Sequence, residues 1–256
     1  MAISEIVKKK TERILLIGHS AHGKTYTAVQ VSKNMALNDK KVLYLDCEYG
    51  SLDEWKNAID SCDSKEAKEK IDKNVGLVNP EDFLQLMKYV SDYKDKVDLI
   101  VIDPLSYNTE ARITAKQELL RYGKVWRGEK EIEIKDKRLF HLTGFDYQLP
   151  NEWQAELLRM MSKSKCSFLV TDLVSYKIGS HDIVKMYNDI AEDKIPKKLR
   201  ELFDVFGYFD RVILMERDAS SFYGIVLKWR GLNITGRKID DVAKVLTNSL
   251  LIKEVN

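Results

Sequence analysis

Five apolar runs punctuate the chain, and segments with apolar residues at helical spacing fill several of the gaps between them. Arg13–Gly18, Val42–Asp46, Asp98–Asp103, Ser167–Thr171 and Arg211–Met215 are mostly continuous Ile, Leu, Val and Phe, the pattern of strands covered on both faces. Gly76–Val78 predicts a minor strand. After the first run, Ala28, Val31 and Met35 recur at helical spacing. Asn79-Pro80-Glu81-Asp82 predicts a helix start, with an N-cap, a proline at the first helical position and early acids. Phe83, Leu86, Met87 and Val90 then share one face. Trp153, Leu157, Met160 and Met161 predict another helix, its apolar side packed in the core. Strands alternating with helices define an α/β class, with a mostly parallel central sheet and helices on both faces.

Length and charge narrow the picture. At 256 residues the chain suits one large domain over 1–256, with an insertion at about 108–150. It shows no repeat, and its 4 prolines and 12 glycines mark no linker. A net charge of +2, from 42 basic and 40 acidic residues, demands no polyanionic partner, so any nucleic-acid contact must be local. Cys47, Cys62 and Cys166 lack metal-ligand spacing, and their odd number argues against a disulfide framework. With no apolar stretch of signal-peptide or membrane-spanning character, the chain is expected to be soluble and cytoplasmic, with no membrane partner.

The chemistry starts directly after the first run. Gly18-His19-Ser20-Ala21-His22-Gly23-Lys24-Thr25 satisfies every fixed position of the phosphate-loop pattern G-x-x-x-x-G-K-[ST]. Its glycines let backbone N–H groups turn toward phosphate oxygens, Lys24 reaches the β- and γ-phosphates, and the Thr25 hydroxyl can ligate Mg²⁺. A buried strand before the loop and a helix after it supply the context that such a pattern requires. The two histidines stand at variable positions. They either contact phosphate when protonated or are exposed loop residues without a role. The strand Asp98–Asp103 ends in an acid that can hold Mg²⁺, directly or through water, and Pro104 follows where many ATPases place a water-activating glutamate. Glu48, just past the strand Val42–Asp46, can supply that base, whereas Asp46 reads as a turn or outer metal-shell residue. Lys228 and Arg230, two apart in the late segment Tyr223–Gly231, project from one face of a strand. They are either a cationic finger or charges that protect a sheet edge.

These elements in this order resemble the RecA-like branch of P-loop ATPases, in particular compact recombinases of phages and archaeal viruses and RadB-, KaiC- and DnaB-like proteins. The resemblance implies ATP and Mg²⁺ as ligands, and catalytic work for Lys24, Glu48 and Thr171, the last at the position that senses the γ-phosphate. It also implies a homo-oligomer, ring or filament, in which Lys228 and Arg230 reach the neighbouring subunit's site. Family sensors are often glutamine or histidine, so Thr171 followed by Asp172 departs from the pattern. Single-stranded DNA is the partner implied in recombination, repair or replication. Lys124, Trp126 and Arg127 in the long segment after the third main strand, and Tyr176 and Lys177 after the fourth, combine aromatic and cationic side chains as base stacking requires. A KaiC-like regulatory ATPase with protein partners and a P-loop nucleotide kinase are the alternative readings.

Overall fold

Each of the five long apolar runs forms a strand, and the strands lie side by side in one eight-stranded sheet. The computed structural model describes residues 11–105, 107–127, 130–134, 148–174, 183, 205–219, 221–232 and 234–251. Strand β1 (Arg13–Gly18) leads into helix α1 (Lys24–Leu37) and β2 (Val42–Asp46). Two short helices, α2 (Leu52–Asp60) and α3 (Lys65–Asn74), precede β3 (Val75–Val78). Next come α4 (Phe83–Tyr93), β4 (Leu99–Asp103), α5 (Tyr107–Tyr122), the hairpin β5 (Lys124–Arg127) and β6 (Lys130–Glu133), and α6 (Gln148–Lys163). The chain continues through β7 (Ser167–Leu173), β8 (Arg211–Arg217), β9 (Phe222–Trp229), β10 (Lys238–Ile239) and α7 (Val242–Leu251).

The order across the sheet is β10-β9-β8-β1-β7-β4-β2-β3. From β8 to β3 every pairing is parallel, and β9 and β10 close one edge antiparallel. Strand alternation divides the core in two. Leu15, Ile17, Leu43, Leu45, Ile100, Ile102, Phe168 and Val170 face α4 and α6, which contribute Phe83, Leu86, Val90, Leu157 and Met161. Ile14, Leu16, Val42, Tyr44, Leu99, Val101 and Leu169 face α1, α2, α3 and α7, which contribute Val31, Met35, Trp55, Ile71 and Leu246. The mostly parallel sheet with helices on both faces thus follows from continuous apolar strands, because both faces of the central strands β1, β2, β4 and β7 are buried by helices. Among the described residues no helix is long and apolar enough to cross a membrane.

Two local expectations are corrected. The helix after β3 is capped by Asp82, whose side chain accepts from the Gln85 N–H at 2.7 Å, and not by Asn79. Asn79 turns its amide to the Asp46 carbonyl at 3.1 Å instead, so the backbone stays non-helical until Asp82. The segment after β4 is not one long loop: it opens with helix α5, in which Thr114 and Ala115 are buried and which packs on α4 and α6. Beyond it β5 and β6 form a hairpin, with Lys124 opposite Glu133 and Arg127 opposite Lys130.

Candidate functional site

All parallel strands point their C-terminal ends to one side, and the loop between β1 and α1 lies there. Gly18 ends β1 so close to β8 that a Cβ would come within 2.7 Å of the Met215 carbonyl oxygen, which only glycine avoids. Gly23 adopts φ +78°, and a Cβ there would stand 2.4 Å from the Phe222 ring. Ser20 and Ala21 are exposed at the crest of the loop. Helix α1 begins at Lys24, so its unpaired N–H groups and the positive end of its dipole face the loop.

Lys24 is buried against that loop, its ammonium donating to the carbonyls of Gly18 at 3.0 Å and His19 at 2.7 Å. Burial holds its pKa below the usual lysine value, opposed by the negative charges of Asp103, Asp172 and Glu48. Asp103, at the end of β4, is 2% exposed. Its Oδ1 accepts from the hydroxyls of Thr171 at 2.5 Å and Thr25 at 3.3 Å, and its Oδ2 from the Tyr44 hydroxyl at 2.5 Å. Burial raises the Asp103 pKa while the three hydroxyls lower it, so the carboxylate is kept usable by its donors. Strands β2, β4 and β7 bring Tyr44, Asp103 and Thr171 together because they are neighbours in the sheet although remote in sequence, and Thr25 joins them from the first turn of α1. A threonine hydroxyl beside a carboxylate suits a hard divalent cation that keeps water and phosphate oxygens as its other ligands. Thr25 and Asp103 would hold Mg²⁺ in that way.

A cavity of about 330 Å³ opens over this cluster, and Glu48 and Glu54 line its far wall. Asp46 points elsewhere. Its carboxylate accepts from the N–H groups of Gly50 at 3.2 Å and Ser51 at 2.9 Å and from the Ser51 hydroxyl at 2.7 Å. It therefore shapes the turn that carries Glu48, the first of the two roles expected of it.

Several neighbours were not legible in the sequence. Asp172, in register with Ile17, is pushed up to about 7, by burial first and by Glu48 to a lesser extent, against the Leu173 N–H bond and the Lys24 charge. Tyr26, Phe222 and Arg217 also line the cavity. The loop histidines are not exposed bystanders: both are partly buried, their rings 5.4 Å apart. His22 Nδ1 lies 3.5 Å from the Glu216 carboxylate and 3.3 Å from the Met215 carbonyl, because the end of β8 passes directly under the loop.

Lys228 and Arg230 lie at the opposite end of the sheet. Strand β9 begins at Phe222 beside the cavity and runs away from it until Trp229 pairs with Arg211. At about 3.3 Å per residue the pair is roughly 20 Å from Phe222 along the strand. Within the chain Lys228 donates to the Phe206 carbonyl at 2.8 Å, and Arg230 pairs with Asp210 at 2.7 Å while staying 73% exposed. Strand β10 covers only Gly224 and Ile225, so the basic end of β9 has no neighbour from β10. Lys124 is exposed at the start of the β5–β6 hairpin; Trp126 and Arg127 follow on β5, with side chains outside the described residues. Tyr176 and Lys177 also lie outside the described residues.

A phosphate loop between β1 and α1, an acid ending a neighbouring but non-consecutive strand, and an antiparallel edge at β9 and β10 together define the RecA-like P-loop fold. One solved structure bears the fold out. The chain matches the RadB recombinase with a TM-score of 0.50 at 16% identity, over 89% of this chain and 84% of that one. It also matches a KaiC-like protein of the hyperthermophilic archaeon Pyrococcus horikoshii with a TM-score of 0.49 at 15% identity, over 89% of this chain and 83% of that one. No protein-family model matches the chain, and its sequence matches no curated protein.

Proposed function

We propose that this protein binds ATP with Mg²⁺ at Gly18–Thr25 and hydrolyses it, in an oligomer that acts on single-stranded DNA in recombination, repair or replication. The observation that carries the reading is one cavity in which Lys24, Thr25, Asp103 and Thr171 form a contiguous polar floor and Glu48 a facing wall. Loop N–H groups and Lys24 hold the phosphates, and Thr25 and Asp103 hold the cation. Bound Mg²⁺ neutralises charge that develops on phosphate oxygens. Glu48 orients a water and takes its proton as the new bond to the γ-phosphorus forms and the bond to the β–γ bridging oxygen breaks. Thr171, bonded to Asp103, is placed to respond to loss of the γ-phosphate. The DNA part draws on the fold shared with the RadB recombinase and on the cationic and aromatic composition of Lys124, Trp126 and Arg127.

Glu48→Ala tests the catalytic assignment. ATP affinity is expected to stay close to that of the parent while turnover falls by roughly 10²-fold or more, the usual effect of removing a general base. Unchanged turnover would move the base elsewhere. The same assay with saturating single-stranded DNA tests the partner: DNA that alters neither turnover nor assembly contradicts it, and favours a regulatory ATPase with protein partners.

A further inference from the structure

The cavity has a second wall whose chemistry phosphate binding does not use. Tyr26 directly follows Thr25 and is 41% exposed. Its ring lies 5.6 Å from that of Phe222 at an interplanar angle of 42°. The Arg217 guanidinium stands 5.6 Å from the centre of the Phe222 ring. All three line the same cavity as Lys24 and Glu48; Arg217 ends β8, Phe222 begins β9 and Tyr26 meets Phe222 from the first turn of α1, whereas Asp103 and Thr171 come from β4 and β7 and Glu48 follows β2. A triphosphate lying along the loop with its terminal phosphate toward Asp103 and Glu48 therefore directs its other end toward these side chains.

We propose that Tyr26, Phe222 and Arg217 form the seat for the nucleobase, holding it by stacking and by the cation rather than by reading its edge. Two aromatic rings and a planar guanidinium offer faces to a flat π-system. Among the described residues of the cavity wall there is no asparagine or glutamine to form a paired contact with a base edge. Stacking is tolerant of base identity because every base has a face, so ATP and GTP bind alike. Phe222 also covers Gly23, where a Cβ would meet its ring at 2.4 Å, and so it joins the seat to the phosphate loop.

This inference rests on the nucleotide-binding reading, and the experiment separates the two. Dissociation constants of ATP, GTP and inorganic tripolyphosphate are measured calorimetrically for the parent protein and for Tyr26→Ala, Arg217→Ala and Phe222→Leu, the last of which keeps an apolar cover on Gly23. Each substitution is expected to weaken both ATP and GTP by roughly tenfold, the effect of losing one stacking partner, while tripolyphosphate binding is unchanged. Substitutions that leave ATP and GTP affinity intact overturn the seat, as does an equal loss for tripolyphosphate, which would make the side chains supports of the loop. A parent protein that prefers ATP to GTP by orders of magnitude overturns the stacking mode. A parent protein that binds none of the three removes the nucleotide-binding reading itself and the seat with it.

Discussion

Asp172 shows how one side chain reports on the surroundings of the phosphate loop. Its carboxyl is pushed from 3.8 up to about 7, chiefly by burial, so the fold tolerates the protonated acid and resists the charged one. Well below pH 3.8 folded and unfolded chains both carry the proton and no penalty arises. As pH rises toward 7 the unfolded chain ionises first and stability is lost; above 7 the loss is complete. Asp172→Asn is therefore expected to stabilise the nucleotide-free protein at pH 8 by roughly 1–4 kcal/mol and to leave it nearly unaltered at about pH 2.5, below both pKa values. Denaturant unfolding at the two pH values checks this, and an equal offset at both contradicts it. Nothing in the sequence around Thr171-Asp172 announced this, because the main cause is burial by the folded chain, and Glu48, which adds to the rise, lies on another element. Lys24, Thr25 and Asp103 were legible for the opposite reason: the chemistry of a phosphate loop and its metal acid is written in local order and spacing. The histidines were misjudged because Glu216, which lies beside His22, is 194 positions away in the chain.

Among the elements, strands were easier to foresee than helices. Strands β1, β2, β4, β7 and β8 are near-continuous apolar runs, whereas α2 buries only Trp55 and Ala58 and α3 only Ile71, too few positions to show a helical period. Side-by-side placement of strands also creates what no single strand shows. Tyr44 on β2 is fully buried and donates to Asp103 on β4, its register neighbour strand, at 2.5 Å. Burial, and then the adjacent Asp103, raise the Tyr44 pKa well above its usual range, so it stays a neutral donor. Tyr44→Phe removes one donor from a buried carboxylate and is expected to cost about 1–3 kcal/mol of stability. It is also expected to weaken the Mg²⁺ dependence of nucleotide binding, because Asp103 loses the contact that orients it. Thermal unfolding together with nucleotide titration at varied Mg²⁺ checks both effects; a variant with unaltered stability and unaltered Mg²⁺ dependence contradicts this role for Tyr44.

At the scale of the whole molecule the sheet separates two kinds of chemistry. Its C-terminal side carries the loop, Asp103 and Glu48, and its other side the basic end of β9, with Lys228 and Arg230 a strand's length from the chain's own cavity. Cations so placed cannot serve the site of their own chain. They can serve the site of a second copy, where a positive charge delivered at the departing γ-phosphoryl makes hydrolysis depend on assembly. The proposed function assigns Glu48 and Arg230 to one reaction, carried by different subunits. The most direct measurement is ATP turnover of Glu48→Ala and Arg230→Ala proteins, each alone and mixed after subunit exchange. The shared-site account predicts that each protein alone is nearly inactive while still binding ATP, and that mixing restores part of the activity, because some interfaces then combine an intact Glu48 with an intact Arg230. Full turnover by Arg230→Ala alone, or a mixture no more active than its components, would contradict it.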